Sequence, residues 1–199
     1  GIFTLKPSLG RVPIDPPYTG RAAGPMTRCV ADAALMMQAL SRPDARDSMG
    51  LPPQNIDWMG FEVGSEHLRG LRIGLLADAG CGLPVGPAIR AALLGAAAAF
   101  EAAGSIVTPM PPFLTRTMLD GMDHLWRMRS LVDMNGLPPM QRERVLPYIR
   151  AWAESAAGFD GEHVFRAPSQ FHATRVAPVA ACAGFDYVIS PTAPNLPAP

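Results

Sequence analysis

The spacing of apolar and polar positions changes several times along the chain, and each change marks an element. "IFTLKP" begins as a short β-strand and is stopped by Pro7, after which a Gly- and Pro-rich loop runs to Gly24. Over "GPMTRCVADAALMMQALSRPD" the apolar residues recur with helical spacing. Val30, Ala34 and Met37 form one row, and Ala33, Met36 and Leu40 the next. The spacing predicts a helix with Pro25 in its first turn, ended by Arg42 and Pro43. From there to His67 the frequent Pro, Gly and Asp predict loop.

"LRGLRIGLLADAG" holds the clearest strand, Leu71 to Leu76, a mostly apolar run suited to burial on both faces. "VGPAIRAALLGAAAAFEAAG" predicts a helix that starts near Pro87 and is capped by Gly104, with Ile89, Leu93, Ala96 and Phe100 on one face. "SIVTP" reads as the next strand. Strand, helix and strand in this order predict a βαβ unit, and hence an α/β fold with parallel strands and a right-handed crossover. Further helical segments are expected at about Arg116–Val132 and, broken by proline, at Gln141–Ala157 and Pro168–Ala183. The chain closes on a buried strand, Tyr187–Ser190, and a loop of Pro, Thr and Asn.

Composition narrows the function classes. The 199 residues are 48% hydrophobic and 17% charged, enough apolar material for a real core. The 22 Pro and 19 Gly are scattered among apolar segments, which predicts many loops rather than a low-complexity tract. Seventeen basic residues balance seventeen acidic ones, leaving no global field to draw nucleic acid or anionic lipid. Lys6 is the only lysine, so chemistry needing a deprotonated lysine has one candidate. Cys29, Cys81 and Cys182 are odd in number and widely spaced, unlike a disulfide framework or a metal motif, and read as packing residues. No apolar run approaches the roughly 20 residues of a membrane span, and no signal-like segment is visible. The expected location is cytoplasmic.

Several chemical motifs fail on their spacing. Gly80, Gly82 and Gly86 follow the first βα strand as G-x-G-x-x-x-G with Pro84 inside, one residue longer than the dinucleotide fingerprint. The next strand ends "VTP", without the acidic residue that would bind a ribose, so a tight βα turn is the better account of these glycines. His67, His124, His163 and His172 show no paired metal spacing. "DGMDHLW" puts Asp120, Asp123 and His124 on about one helical turn, which admits an acid/base pair; a solvated helix face with a capping Asp is the preferred reading. No serine sits in a G-x-S-x-G elbow, and Ser8 in "KPSLG" reads as a turn residue.

Five stretches, read in order, resemble the amidase signature family of serine amidohydrolases. "GIFTLKPSLGRVP" is similar to its G-x-x-G-L-K-P-T-x-G-R-V segment, with Thr4 where Gly is usual and Ser8 where Thr is. "AGPMTRCVADAALMMQAL" is similar to its G-P-M-A/T-R-T-V-A-D-A-A-L-L-L helix, with Cys29 for the common Thr. "SRPDARDSMGLP" resembles the loop that follows, "LRGLRIGLL" the next strand, and "FDYVISPTAPNLPAP" the segment Y-D-x-L-L-T-P-T-x-P-x-x-A-P.

The resemblance implies a mixed, partly parallel sheet layered between helices. It implies hydrolysis of a carboxylic amide to an acid and an amine or ammonia through a serine acyl-enzyme, with a Ser–cis-Ser–Lys triad and no cofactor or metal. The nucleophile of that family precedes the segment that begins here at Gly1, so no catalytic residue is expected within the chain. Residues 1–199 are expected to be part of a single amidase domain cut at both ends, and inactive alone. Lys6 matches the Lys of the L-K-P motif, downstream of the nucleophile, and is expected to hold a loop rather than to relay a proton.

The expected pocket wall is the loop after Ser190, including Thr192 and Asn195. Met122, Trp126 and Met128 are candidates to line an acyl or leaving-group pocket, with plain core packing as the competing reading of that stripe. The variable loops Gln54–Ser65 and Arg116–Gln141 are expected to select the substrate. The expected partner is a small-molecule amide, with a homodimer left open and neither nucleic acid nor membrane. Two alternatives stand beside the hydrolase: an amidotransferase A-type subunit that supplies ammonia to misacylated tRNA, and a non-catalytic module on an amidase scaffold.

Overall fold

A computed structural model of the chain describes residues 1–60, 64–78 and 80–196. Positions 61–63 of the expected substrate-selecting loop and the last three residues of the closing segment lie outside the described residues. The chain divides into two units, Gly1–Val63 and Gly64–Pro199.

In the first unit Phe3–Thr4 (β1) pairs antiparallel with Met26–Thr27 (β2). The expected helix therefore starts five residues after Pro25, as α1 (Val30–Leu40). The reason is tertiary: the Pro25 carbonyl accepts the Leu5 N–H at 3.1 Å, and the two residues after it are committed to β1. Thr27 Oγ1 then donates to the Cys29 carbonyl at 2.8 Å and closes the turn into the helix. Cys29 is exposed, and makes no side-chain cap. α1 buries Ala33, Ala34 and Met37, while Val30 and Met36 face solvent, so one narrow seam replaces the two rows read from the spacing.

The loop after α1 is organised by two aspartates. Asp47 accepts the backbone N–H groups of Ile14 at 2.9 Å and Met49 at 2.8 Å, and the Leu51 N–H donates to Gly10 at 2.8 Å. Gly10 has φ +79°, and a Cβ there would overlap the Met49 carbonyl. Asp44 accepts from the Arg46 side chain and from its backbone N–H, and these bonds hold its carboxyl down at about 2. The pair is exposed and adds little stability.

The second unit is built on Arg72–Leu75 (β3), Ile106–Pro109 (β4) and Tyr187–Ile189 (β5), in spatial order β4-β3-β5 and all parallel. Gly74 of the central strand faces Thr108 on one side and Val188 on the other. A Cβ at Gly74 would lie 2.9 Å from the Met110 sulfur and 3.1 Å from the Phe185 ring, so bulk at this level comes from neighbours. Helix α2 (Pro87–Ala102) forms the βα crossover with Pro87 at its start and Gly104 at φ +92° beyond its end. Residues 80–82 are all left-handed, with φ between 64° and 89°. A Cβ on Gly80 would stand 2.7 Å from the Leu114 carbonyl, so these glycines serve a tight turn.

Four helices follow: α3 (Arg116–Asn135), α4 (Pro139–Glu143), α5 (Pro147–Glu154) and α6 (Gly161–Cys182). The Thr115 hydroxyl accepts the Met118 N–H and caps α3, so the cap expected of an aspartate is a threonine ahead of the helix. α6 starts seven residues before Pro168, because Asp160 accepts the His163 N–H at 2.8 Å and nucleates the turn there. Pro168 and Pro178 remain inside the helix, which packs along α3. That packing is tight at buried Gly121, where a Cβ would overlap the Gln170 side chain. α5 is tied to α3 through Asp123, which accepts from Arg127 at 2.6 Å and from the Trp152 indole at 3.2 Å.

Two helical glycines make the packing claim testable. Gly121→Ala forces α3 and α6 apart and is expected to destabilise the protein by about 1–3 kcal/mol. Gly95→Ala in α2, where an added Cβ meets nothing within 4 Å, is expected to stabilise by about 0.5–1 kcal/mol. Urea denaturation of the two variants checks both signs.

Candidate functional site

At the carboxyl ends of parallel strands the chain must leave the sheet, and the space beyond them collects ligands in open α/β folds. Here the position of that space is set by β5. Asp186, just before β5, accepts the Arg72 backbone N–H at 2.8 Å and its guanidinium at 2.9 Å, while the Asp186 N–H returns a bond to the Arg72 carbonyl. The hydrogen bond from the Arg72 side chain holds the Asp186 carboxyl below the usual carboxylate range. At the other end of β5 the Leu76 N–H donates to Ile189 at 2.9 Å, and the Gly86 N–H, at the start of α2, donates to the Pro194 carbonyl at 2.8 Å. A Cβ on Gly86 would sit 3.2 Å from that carbonyl. The loop after Ser190 is thus pinned at both ends, one end to the sheet and one to a helix start.

Between this loop and α2 lies a cleft of about 850 Å³. Ile89, Ala92, Leu93 and Ala96 of α2 form an alkyl floor; Ser190, Thr192 and Asn195 contribute hydroxyl and amide groups from the loop. Among the described residues, none that lines it is charged. Thr192 and Asn195, singled out from the sequence, share this cleft. Met122 and Trp126 do not line it: both are on α3, where Trp126 is 36% exposed and lies under the Arg129 guanidinium at 5.7 Å. The four candidates therefore divide between two places. What the sequence reading missed is the α2 face. Its spacing was legible, but Ala96 looks into the cleft rather than into a core.

A second, more polar cleft of about 380 Å³ lies between α3 and α6, lined among others by Asp120, His124, His163, Arg166 and Gln170. The three groups of "DGMDHLW" have separate partners: Asp120 pairs with Arg116 at 3.0 Å, Asp123 with Arg127, and His124 with His163. They do not form an Asp–His acid/base pair through those bonds. Lys6 and Ser8 are both exposed, and the hydroxyls of Ser41, Ser105 and Ser155 donate to backbone carbonyls. Among the described residues no three His, Cys, Asp or Glu side chains converge on one point, and no helix is long and apolar enough to cross a membrane.

The fold is that of a known family. The family model described as Amidase matches residues 1–198. An acylamidase from Rhodococcus erythropolis is 33% identical over 116 residues, covering 56% of this chain and 24% of that protein. The A-type subunit of the glutamyl-tRNA(Gln) amidotransferase from Burkholderia mallei is 34% identical over 123 residues, covering 55% of this chain and 24% of that protein. Among solved structures, a bacterial aryl acylamidase of the amidase signature family superposes with a TM-score of 0.81 at 23% identity, over 99% of this chain and 42% of that one. The native peptide amidase from Stenotrophomonas maltophilia superposes with a TM-score of 0.70 at 22% identity, over 96% of this chain and 45% of that one. The α/β fold with its parallel strands is the fold of these enzymes. The chain spans about a quarter of the length of the curated relatives it matches.

The Arg72–Asp186 contact offers a stability test with a definite sign. Because the ion pair lowers the proton affinity of folded Asp186, its contribution is complete above the unfolded carboxylate value of about 3.9 and is lost as the pH falls through the lower folded-state value. Asp186→Asn is therefore expected to lower Tm at pH 7, with the gap to the parent narrowing on acidification. Thermal melts of both proteins across that range check it; a gap that widens in acid contradicts the assignment.

Proposed function

The chain belongs to the amidase family, and from that premise we propose that it is part of an enzyme that hydrolyses a carboxylic amide, with the strand-end cleft as one wall of the substrate cavity. The observation that carries this reading is the chemistry of the cleft. Alkyl side chains of α2 face the hydroxyl and amide groups of Ser190, Thr192 and Asn195, with no charge among them. A neutral amide needs that combination: apolar surface for its acyl or amine substituent and a few oriented hydrogen-bond groups for its polar centre. Similarity to an acylamidase supports an acyl group as the part so held.

In the reaction a serine oxygen adds to the amide carbonyl carbon, and the C–N bond breaks as the amine or ammonia leaves with a proton. Water then cleaves the ester, releasing the acid and restoring the serine. The Ser–cis-Ser–Lys arrangement that the motifs resemble needs a lysine to relay the proton. Lys6 is the only lysine of residues 1–199, and it is exposed. We place the triad outside these residues, in the same domain of a longer protein, and assign to residues 1–199 the surrounding wall rather than the chemistry. A small amide is the only partner the reading requires.

A second reading rests on the 34% identity to an A-type amidotransferase chain. In that case the amide is glutamine and the ammonia goes to a misacylated tRNA. Co-purification of the whole protein with two further subunits, together with glutaminase activity, favours it over the free-standing hydrolase.

The test compares the whole protein with residues 1–199 alone. The whole protein is expected to hydrolyse a panel of acyl amides and to be labelled once by a serine-directed fluorophosphonate, and residues 1–199 to do neither. Stoichiometric labelling of a serine within 1–199 overturns the placement of the triad. Failure of the whole protein to label or to turn over any amide overturns the hydrolase in favour of a non-catalytic scaffold. In the active whole protein, Asn195→Ala is expected to raise KM about tenfold or more with a smaller change in kcat, as removal of a binding contact does.

A further inference from the structure

His124 and His163 are 39 residues apart and belong to different helices, yet Nδ1 of the first and Nε2 of the second are 3.0 Å apart. Three restraints hold them there. The contact of Gly121 with Gln170 fixes the packing of α3 on α6. Asp160 accepts the His163 backbone N–H and sets the first turn of α6. The Phe159 ring stacks on His163 at 4.5 Å and meets His124 edge-on at 4.9 Å. Both imidazoles line the polar cleft between the helices, and His163 is exposed, so the pair is open to solvent.

The two nitrogens are within hydrogen-bond distance, and at least one ring is tilted off the line between them. The centroids are 4.6 Å apart and the planes are inclined by 46°. A straight N–H···N bond of this length would put the centroids roughly 5.3 Å apart. Two imidazole nitrogens on one metal ion at 2.0–2.1 Å, in cis positions about 90° apart, lie about 2.9 Å from each other with ring centres about 4.5 Å apart. At the tetrahedral angle the same distances become about 3.3 and 5.2 Å. The observed 3.0 and 4.6 Å match the cis arrangement of square-planar and octahedral ions rather than the tetrahedral one.

We propose that His124 and His163 form a two-imidazole site for a divalent transition-metal ion of tetragonal geometry, with copper(II) bound most tightly. Imidazole suits copper and nickel, and copper(II) stands highest in affinity among the first-row divalent ions. The ion takes Nδ1 of His124 and Nε2 of His163. The proton held between the two rings moves to the outer nitrogen of the ring that carried it, so two neutral imidazoles bind without losing a proton to solvent. The remaining coordination positions are water. Asp120 and Arg166, the charged neighbours in the cleft, are engaged by Arg116 at 3.0 Å and Glu162 at 2.6 Å. Two protein ligands and an open coordination sphere make this an exchangeable site, and neither histidine lines the strand-end cleft.

Copper(II) titration, followed by calorimetry and by electron paramagnetic resonance, tests it. One copper per chain is expected, with nitrogen couplings from two imidazoles. H124Q and H163Q are each expected to weaken binding by about tenfold or more, while H67Q/H172Q leaves affinity and spectrum unchanged. The proposal is overturned by a spectrum with one imidazole or none, by unchanged affinity in H163Q, or by loss of the two-imidazole signal in H67Q/H172Q. In H124Q the Asp160 cap and the Phe159–His163 stack remain, so an unchanged two-imidazole signal there overturns the proposal even where H163Q fails to fold.

Discussion

The second unit depends on the double pairing of β3. This four-residue strand is hydrogen-bonded to β4 on one edge and β5 on the other, both parallel, and parallel neighbours cannot be joined by a tight turn. The β3–β4 crossover is α2, and the return to β5 spans α3 to α6. Every long element of the unit is thus a connection between strands that meet at Ile73, Gly74 and Leu75. Ile73, 1% exposed, fills the middle of that contact. Gly74 leaves room for Met110 and Phe185 to cover it.

From this constraint the strand-end cleft follows. Because β5 is registered on β3 and locked at its start by Arg72 and Asp186, the loop after Ser190 leaves the sheet at a fixed place. The bond from Gly86 then brings the loop against α2 and turns the exposed side of that helix into a cleft floor. The lining is uncharged because α2 turns Ile89, Ala92, Leu93 and Ala96 to the cleft, with Arg90 and Glu101 outside it, and a Pro-, Thr- and Asn-containing loop supplies the other side. Apart from Arg72 and Asp186 at the start of β5, side-chain ion pairs of the unit form along α3 and α6.

Much of this was legible in the order of residues. The βαβ unit, the Pro87 start and Gly104 end of α2, and the closing strand all follow from local periodicity and from the backbone limits of Pro and Gly. Those signals act within a few residues. Errors fell where a distant partner intervened. Pro25 favours a helix start, but its carbonyl and the next two residues pair with β1. Pro168 reads as a helix boundary, but Asp160 had already nucleated α6 and α3 supports it past the proline. Thr192 and Asn195 could be placed beside a pocket because the strand before them was recognisable. Met122 and Trp126 could not be placed, since helical spacing does not say which neighbour a face meets.

The sequence by itself determined the α/β class, the parallel crossover, the family and the absence of a charged field, because each rests on composition, short-range spacing or motifs in order. Only the tertiary structure decided which faces became clefts and which side chains met across them. His124 and His163 are the sharpest case. Thirty-nine residues separate them, and no spacing rule connects the two. Their nitrogens converge because a glycine on α3 lets α6 approach and an aspartate sets where α6 begins. Local signals cannot carry that information, since it is a property of how two helices pack and of nothing within either one.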